Sequence, residues 1–249
     1  MREAGRIVAQ AHEQMRQAIR PGVSTWELDQ IAEAVLRDHD AIPAFLNYPK
    51  QKAPNFPATI TASINSEVVH GIPSKTRILN EGDIISLDVG CYYQGFVGDA
   101  AQTWPVGEVK PAVQRLIDVT RETLFAAIEQ ARQGNRVSDI ARATQAYAAK
   151  HGYSVALEYT GHGVGRKMHE PPAVPNWWPR RPNHQQRQTD AVLQPGMTLA
   201  IEPMVIAGRN DLIELDDQWT VVTRDKSLSA HWEHSIAVTA GDPVILTLP

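Results

Sequence analysis

The sequence predicts a mixed α/β (α+β) fold built from two pseudo-symmetric halves. Helical patterns open each half, runs with strand character follow them, and matched segments recur 112 to 114 residues apart. Two matched segments at nearly the same spacing indicate an internal duplication. We therefore expect one domain over residues 1–249, with halves of approximately 1–110 and 111–249 that face each other.

Two helices are predicted at the start of the first half. Residues 2–19 carry apolar side chains near helical spacing, and a Pro-Gly pair ends the pattern. Ser24 or Thr25 can cap the next helix, whose apolar face lies within residues 28–35.

The second half repeats both the turn and a strand of the first. Gly134 stands 112 residues after Gly22, and Ser138 is predicted to cap the helix that follows it. The segments LNEGDIISLDVG and LQPGMTLAIEPM align at an offset of 114, which places Glu202 on the position of Asp88. We expect these two carboxylates to meet near a pseudo-twofold axis.

Residues 83–104 are predicted to form a β-hairpin with its turn at residues 93–95. Alternating apolar side chains mark the first strand, and Gly95 suits the turn. Asp88 and Asp99 then become cross-strand neighbours. Two like charges in that position destabilise a sheet unless a positive charge lies between them.

Glu202 and Glu233 also lie in apolar segments of strand character. Four buried carboxylates without an arginine or lysine partner are costly, and two divalent ions would balance their charge. His162 supplies a neutral ligand. A set of carboxylates with one imidazole suits Mn, Fe, Co or Zn and does not select among them.

Composition excludes several classes of protein. The formal net charge is −4, which gives no electrostatic reason to expect nucleic acid as a partner. No apolar run reaches the roughly 20 residues of a membrane span, and the charged first twenty residues do not resemble a signal peptide. Cys91 is the single cysteine, so no intrachain disulfide can form and we expect a reducing cytoplasm. We expect a monomer, because no heptad pattern or repeat beyond two is evident.

Taken alone, the residues of the segment GHGVGRKMHE (161–170) are compatible with three interpretations: a phosphate cradle, a metal site or a tight turn. Its three glycines allow close backbone approach. A nucleotide site is disfavoured, because the GxGxxG pattern is absent.

Two further segments, 47–56 and 175–190, are predicted to be loops. The Trp177-Trp178 pair in the second is interpreted as surface packing, with the rim of a binding cleft as the alternative.

Five blocks in order resemble type I methionine aminopeptidase, a peptidase family with the pita-bread fold: FPATITASINSEVVHGIP, LDVGCYYQGFVGDAAQTW, GHGVGRKMHEPP, PGMTLAIEPMV and SLSAHWEHSIAVT. The resemblance spans the chain and implies a central curved antiparallel sheet with outer helices. It also implies two divalent metal ions (Co, Mn, Fe or Zn). The ligands carried over are Asp88, Asp99, His162, Glu202 and Glu233, with Asp99 and Glu233 bridging both ions.

The same resemblance implies the reaction and its partners. A metal-activated water would attack the first peptide bond of nascent polypeptides that begin with methionine. Glu202 would shuttle the proton, His169 would face the scissile carbonyl and His70 the first peptide nitrogen. The ribosome is a further implied partner. The candidate walls of the methionine pocket are Tyr48, Phe56, Tyr92, Phe96 and Trp232, and Trp232 is preferred because it precedes Glu233.

Some features depart from the family pattern and keep alternatives open. Val97 stands where many relatives have histidine, Ala100 where many have a hydroxyl residue, and the loops 47–56 and 175–190 look longer. The alternatives are an Xaa-Pro aminopeptidase or prolidase, and a catalytically weak peptide-binding paralogue.

Overall fold

A computed structural model describes residues 1–249 as five helices and fifteen strands. The helices are α1 (Arg2–Ala18), α2 (Thr25–Asp38), α3 (Pro111–Ile128), α4 (Val137–Lys150) and α5 (His184–Thr189). The strands of the first half are β1 (Ile42–Pro43), β2 (Ile60–Ile64), β3 (Glu67–Val69), β4 (Ile84–Tyr93) and β5 (Phe96–Pro105). Those of the second half are β6 (Ser154–Val155), β7 (Thr160–Gly163), β8 (Glu170–Pro175), β9 (Thr198–Ile201), β10 (Met204–Ile206), β11 (Leu212–Glu214), β12 (Val221–Thr223), β13 (Ser229–His231), β14 (His234–Ala237) and β15 (Val244–Ile245).

All strand pairs are antiparallel, and they are divided among four sheets. In the first half, one sheet has the order β1-β4-β2, and β5 also pairs with β4. The second half contributes a sheet ordered β15-β14-β9-β7-β8. Two three-stranded sheets, β13-β10-β6 and β11-β12-β3, complete the set. The predicted hairpin is confirmed: β4 and β5 are joined by Gln94 and Gly95, both at positive φ, the geometry of a tight hairpin turn.

The same backbone hydrogen bond occurs at equivalent positions of the two halves, as the repeat leads one to expect. The amide of Gly22 donates to Leu79 O at 2.8 Å, and the amide of Gly134 donates to Leu193 O at 3.0 Å. Both glycines have positive φ, near +90°, which costs a glycine little and other residues more. The pseudo-symmetric architecture of two α/β halves is thus confirmed by matching turns as well as matching elements.

The helix caps agree with the sequence in one half and not in the other. Ser24 caps α2 in a capping box with Glu27, as predicted. The cap of α4 is Arg136, and Ser138 lies inside the helix, so the predicted cap was wrong. The Ser138 amide is instead satisfied by the carboxylate of Asp190 at 2.9 Å, a partner 52 residues away that no local pattern could indicate.

Each half has its own apolar core, and a third cluster lies between them. The first core joins α1 and α2 to β2, β4 and β5; the second joins α3 and α4 to β8, β9 and β14. The cluster between them includes Phe45, Phe56, Met168 and Trp219. No helix has the length and apolar character needed to cross a membrane.

The segment 175–190 lies on the second half. It contains α5, and the indole of Trp177 donates to Leu157 O at 3.1 Å while Trp178 is buried. Neither ring lines the cavity described below; both line a smaller one of about 160 Å³ on this half. The burial and the hydrogen bond agree with the packing interpretation of the tryptophan pair.

Candidate metal centre

Strands of both halves, and the residues next to them, bring the predicted ligands together. Asp88 lies on β4, Asp99 on β5 and His162 on β7, while Glu202 follows β9 and Glu233 links β13 to β14. Glu233 is tied to the strand that carries Asp99: its amide donates to the carbonyl of Ala101 on β5 at 2.8 Å. All five side chains line one cavity.

Asp88 and Asp99 are diagonal neighbours rather than direct partners. In the register of the hairpin Asp88 faces Ala101, and Gly90 faces Asp99. Residues two apart share a face of a strand, so both carboxylates still point to the same side. The two acids are thus cross-strand neighbours on a diagonal, and the two-residue turn at Gln94-Gly95 sets this register.

The imidazole of His162 is oriented for a cation. Its Nδ1 lies 2.9 Å from the carbonyl oxygen of Gly163, which fixes the proton on Nδ1, because the carbonyl can only accept. Nε2 then turns its lone pair toward Asp99 Oδ2 at 3.7 Å and Glu202 Oε1 at 3.6 Å. A lone pair and two carboxylate oxygens repel each other unless a positive ion lies between them. Such an orienting bond to the second ring nitrogen is usual for metal-binding histidines.

Several buried oxygens of this cluster have no hydrogen-bond partner. They are Asp88 Oδ1, Asp99 Oδ1 and Glu233 Oε1. Ligand atoms of Asp99, His162 and Glu233 all lie within 4.8 Å of one another. Buried polar atoms are normally satisfied, and a set of carboxylate oxygens with one imidazole suits divalent ions such as Mn, Fe, Co or Zn. The donor set therefore fits a divalent metal ion.

Burial dominates the electrostatics of the cluster. It raises the pKa of Asp88 and of Asp99 well above the usual carboxyl range, with repulsion from neighbouring acids adding to the effect. Burial, and then the neighbouring acids, raise the pKa of Glu233 in the same way, and burial raises the pKa of Glu202 to about 8. Burial also lowers the pKa of His162 to about 4, so this imidazole is neutral at pH 7.

The glycines around His162 serve strand packing. A Cβ on Gly161 would overlap the carbonyl oxygen of Ala200 in β9, and a Cβ on Gly163 would overlap that of Pro171 in β8. Strand β7 can therefore lie closely between its two neighbours only with glycine at these positions. The close backbone approach that these glycines allow is therefore made to the flanking strands, and it places His162.

The carboxylates lie in a cavity of about 330 Å³ with one apolar wall. That wall consists of Phe45, Tyr48, Phe56, Met168 and Trp219. His70 and His169 also line the cavity. His70 has a φ of +61°, which is uncommon for a residue with a side chain.

A hydrogen bond joins His169 to the predicted loop 47–56. The hydroxyl of Tyr48 lies 2.7 Å from His169 Nδ1. The turn before His169 is held by Glu170, whose carboxylate accepts from the amides of Arg166 and Lys167. Burial lowers the pKa of His169, so the ring is neutral at pH 7.

Trp232 does not reach this cavity. Its ring packs against Trp104 at 5.8 Å and lines a separate surface cavity with Arg121. Adjacent residues of an extended chain point to opposite sides. Glu233 points into the site and Trp232 points away from it. The prediction of Trp232 as a pocket wall was therefore wrong, because it rested on the adjacency of Trp232 to Glu233.

The other predicted wall residues are divided. Tyr48 and Phe56 line the cavity, whereas Tyr92 and Phe96 do not. The hydroxyl of Tyr92 accepts a bond from the Met168 amide, and Phe96 lies under the guanidinium of Arg166. Both therefore support the turn that carries His169 instead of forming the pocket.

Sequence reasoning missed the largest wall residue, Trp219. Its indole donates to Pro54 O at 2.9 Å and packs edge-to-face on Phe56 at 5.1 Å. Lys50 lies over the same ring and pairs with Glu214. The loop 47–56 is thus fixed to the β11–β12 turn, a contact across about 165 residues for which the sequence carries no local signal.

The departures at Val97 and Ala100 leave the cluster intact. Val97 is buried, and its amide donates to Gly165 O at 2.8 Å, which ties β5 to the turn before His169. Ala100 is buried in the first core, and its carbonyl lies 2.8 Å from His12 Nε2. Both positions therefore pack without a polar side chain.

The metal-free protein is expected to lose stability as pH rises from 6.5 to 8. A carboxyl whose pKa is higher in the folded than in the unfolded chain holds its proton more tightly when folded, so raising the pH destabilises the fold. Glu202 titrates near 8 instead of 4.5. The buried histidines act in the opposite sense, but only below their unfolded pKa of 6.5. The expected loss is about 2 kcal/mol.

Thermal unfolding measured at pH 6.5, 7.2 and 8.0 tests this expectation. The chelated protein should show a falling Tm, and the protein with added Mn²⁺ should not, because the ion binds the deprotonated carboxylates. A Tm of the chelated protein that rises over this interval would contradict the electrostatic description.

Comparison with known proteins adds an independent finding. A model of metallopeptidase family M24 matches residues 1–240. Methionine aminopeptidase 1 of Bacillus subtilis is 47% identical over 247 residues, which cover 99% of this chain and 94% of that protein. The crystal structure of methionine aminopeptidase from Thermotoga maritima superposes with a TM-score of 0.93 at 40% identity, covering 100% of this chain and 95% of the other.

A more distant similarity concerns the fold alone. The Xaa-Pro dipeptidase from Bacillus anthracis matches with a TM-score of 0.72 at 24% identity, and the match covers 99% of this chain but 59% of that protein.

Proposed function

The chain belongs to metallopeptidase family M24, with its pita-bread fold, and from this membership we propose that it is a methionine aminopeptidase. It removes N-terminal methionine from polypeptides by hydrolysis of the first peptide bond. The observation that carries this proposal is the cluster of four carboxylates and His162 beside an apolar wall in one cavity. The full-length similarity to methionine aminopeptidases supports the same activity.

We propose that two divalent ions, drawn from Co, Mn, Fe or Zn, are held by Asp88, Asp99, His162, Glu202 and Glu233. When bound, such ions activate water and polarise the scissile carbonyl. The count of two follows from charge: four carboxylates balance two divalent ions. A free α-amino group binding beside this centre makes the enzyme an exopeptidase.

The chain's own residues handle the proton and the developing charge. Glu202 has one oxygen toward His162 and one toward the interior, and it accepts a proton from water and returns it to the leaving amine. We assign the Tyr48 hydroxyl as the donor to His169 Nδ1, which lies 2.7 Å away; the proton of this neutral ring then lies on Nε2. That N–H donates to the oxygen of the scissile carbonyl as negative charge develops. His70 orients the peptide through its first nitrogen.

The apolar wall receives the methionine side chain. Tyr48, Phe56 and Trp219 offer aromatic faces and edges, which make favourable contacts with a thioether. The edge-to-face packing of Phe56 on Trp219 gives the pocket a fixed width. A fixed pocket of this kind selects one unbranched apolar side chain.

Replacement of Trp219 by alanine is expected to raise KM for methionyl peptides by about tenfold or more, because burial of a large apolar side chain contributes at least about 1.5 kcal/mol. Trp232→Phe is the matched control: its ring lies outside the cavity, so kcat/KM should stay near that of the unchanged enzyme. Steady-state kinetics on a methionyl tripeptide measure both. Equal effects of the two substitutions would argue against the assigned pocket.

The experiment that tests the activity compares two peptides, Met-Ala-Ser and Ala-Pro-Ser. Chelated protein is reloaded with Mn, Co or Fe, and free amino acids are measured. Metal-dependent release of methionine supports the proposal. Release of alanine alone assigns the chain to the Xaa-Pro class, and metal binding without turnover of either peptide indicates a peptide-binding paralogue.

The cellular setting is proposed on the same basis. Residues 1–249 act as one catalytic domain with halves that meet near residue 110. The single cysteine, Cys91, which is free and buried, and a nascent-chain substrate support a cytoplasmic setting. The ribosome is the partner that presents such substrates, and the enzyme acts as a monomer.

A further inference from the structure

His231 is a buried histidine beside the carboxylates that has no role in the site described so far. It is the last residue of β13 and is 2% exposed, and its Nε2 atom has no hydrogen-bond partner. Buried polar atoms are nearly always paired. The partner of this atom must therefore come from its immediate neighbours.

The neighbour of His231 Nε2 is Glu202. Glu202 Oε2 lies 3.6 Å from it, while Glu202 Oε1 lies 3.6 Å from His162 Nε2. The two oxygens of one carboxylate thus face two different imidazoles. His162 presents a lone pair to Oε1, because its Nδ1 proton is bound to Gly163 O. No hydrogen bond of that kind constrains the ring of His231, which can present an N–H to Oε2.

The backbone holds the imidazole of His231 in this place. Its amide donates to Thr103 Oγ1, and its carbonyl accepts from the same hydroxyl, both at 2.8 Å. Strand pairing sets His231 opposite Met204, two residues after Glu202. His231 Nε2 lies against Glu202, and Glu233 lines the same cavity as Glu202, whereas the ring of Trp232 lines a separate one. A small rotation of either side chain closes the 3.6 Å gap to a hydrogen bond.

We propose that His231 is a positioning residue whose Nε2–H donates to Glu202 Oε2. The bond leaves Glu202 Oε1 directed toward the space that Asp99 and His162 also face, where the metal ion fits. A carboxylate ligand that is itself hydrogen-bonded holds metal more tightly, by about 10–100-fold in affinity. The inference needs the metal of the proposed function but no particular peptide, so it can fail while the peptidase assignment stands, and the reverse.

Nitrogen NMR of histidine-labelled protein tests the proton position directly. Spectra are taken on the chelated protein and after addition of Zn²⁺, and His231→Gln identifies the resonances of His231. We expect Nε2 of His231 to carry the proton in both states. A proton on Nδ1, with an Nε2 resonance that shifts on addition of Zn²⁺, would overturn the proposal and make His231 a ligand.

Metal affinity of two variants gives the second readout. His231→Leu removes the donor and is expected to weaken Zn²⁺ binding, measured by calorimetry, by about 10–100-fold, and to change the visible spectrum of the Co²⁺ form. His231→Gln keeps an N–H and should restore most of the affinity. His234→Leu is the matched control, since His234 is buried next to Glu233 but faces Thr247. Unchanged affinity in His231→Leu would overturn the proposal, and thermal unfolding of the metal-free variants shows whether each is folded.

Discussion

Replacing Asp99 with asparagine is expected to abolish metal binding and turnover together. Asp99 is 2% exposed, faces the lone pair of His162 and has a second oxygen without a hydrogen-bond partner. Loss of even an outer-shell partner weakens metal binding about 10–100-fold, and loss of a ligand charge at the centre of the cluster should exceed that. Calorimetric titration with Mn²⁺ and peptide hydrolysis measure the two losses.

The same substitution is expected to leave the metal-free fold intact or stabilise it. Burial and neighbouring acids raise the pKa of Asp99, so the charged carboxylate is unfavourable without a cation, and a neutral amide relieves the repulsion. The Tm of the chelated variant should therefore equal or exceed that of the chelated original protein near pH 7.5. The direction of this change in Tm distinguishes a metal ligand from an acid that stabilises the fold.

Asp29 is the matched control for this pair of measurements. It is a buried acid outside the cluster whose carboxylate accepts bonds from the amides of Thr59 and Ile60. Asp29→Asn should leave Mn²⁺ affinity unchanged, because Asp29 does not line the cavity that holds the cluster. Retained metal binding in Asp99→Asn, or equal behaviour of both variants, would refute the assignment of the centre.

The sequence predicts the acids of the site better than its walls. Asp88, Asp99 and Glu233 stand in apolar segments without cationic partners. This conflict between charge and burial can be recognised from the residues next to each acid in the sequence. The structure shows the same conflict as buried oxygens without partners. Local sequence is enough here because a costly buried charge must be explained wherever it occurs.

The walls depend on contacts between distant loops. Trp219 closes the pocket only because Pro54 and Phe56 come to it from the other half, and the sequence around Trp219 carries no sign of this. Trp232 and His231 are a different case. Side chains of an extended chain alternate, so the position of Glu233 predicts that His231 faces the site and that Trp232 faces away. The prediction of Trp232 as a wall failed because it used adjacency to Glu233 instead of this alternation.

Replacing His169 with alanine is expected to lower kcat by about a hundredfold, with a smaller change in KM. Removal of one donor to a developing oxyanion costs about 10²–10³-fold in kcat. His169 lines the cavity, and its ring centroid lies 4.2 Å from that of His162, which is the neighbourhood that the proposed oxyanion role requires. Metal affinity should be nearly unchanged, which distinguishes this residue from the ligands. His39→Ala, at an exposed histidine on α2's end, is the control.

Tyr48→Phe provides the finer test of how His169 works. The substitution keeps the aromatic wall but removes the hydroxyl that lies 2.7 Å from His169 Nδ1. Without that donor the ring can place its proton on either nitrogen, so only part of the population presents Nε2–H to the substrate. We expect kcat to fall by about tenfold, between the original enzyme and His169→Ala, because general positioning of this kind is worth less than the donor itself. In the double variant the Tyr48 substitution should have no further effect on kcat, since its action passes through His169. Additive losses in the double variant would show that Tyr48 contributes only to the pocket.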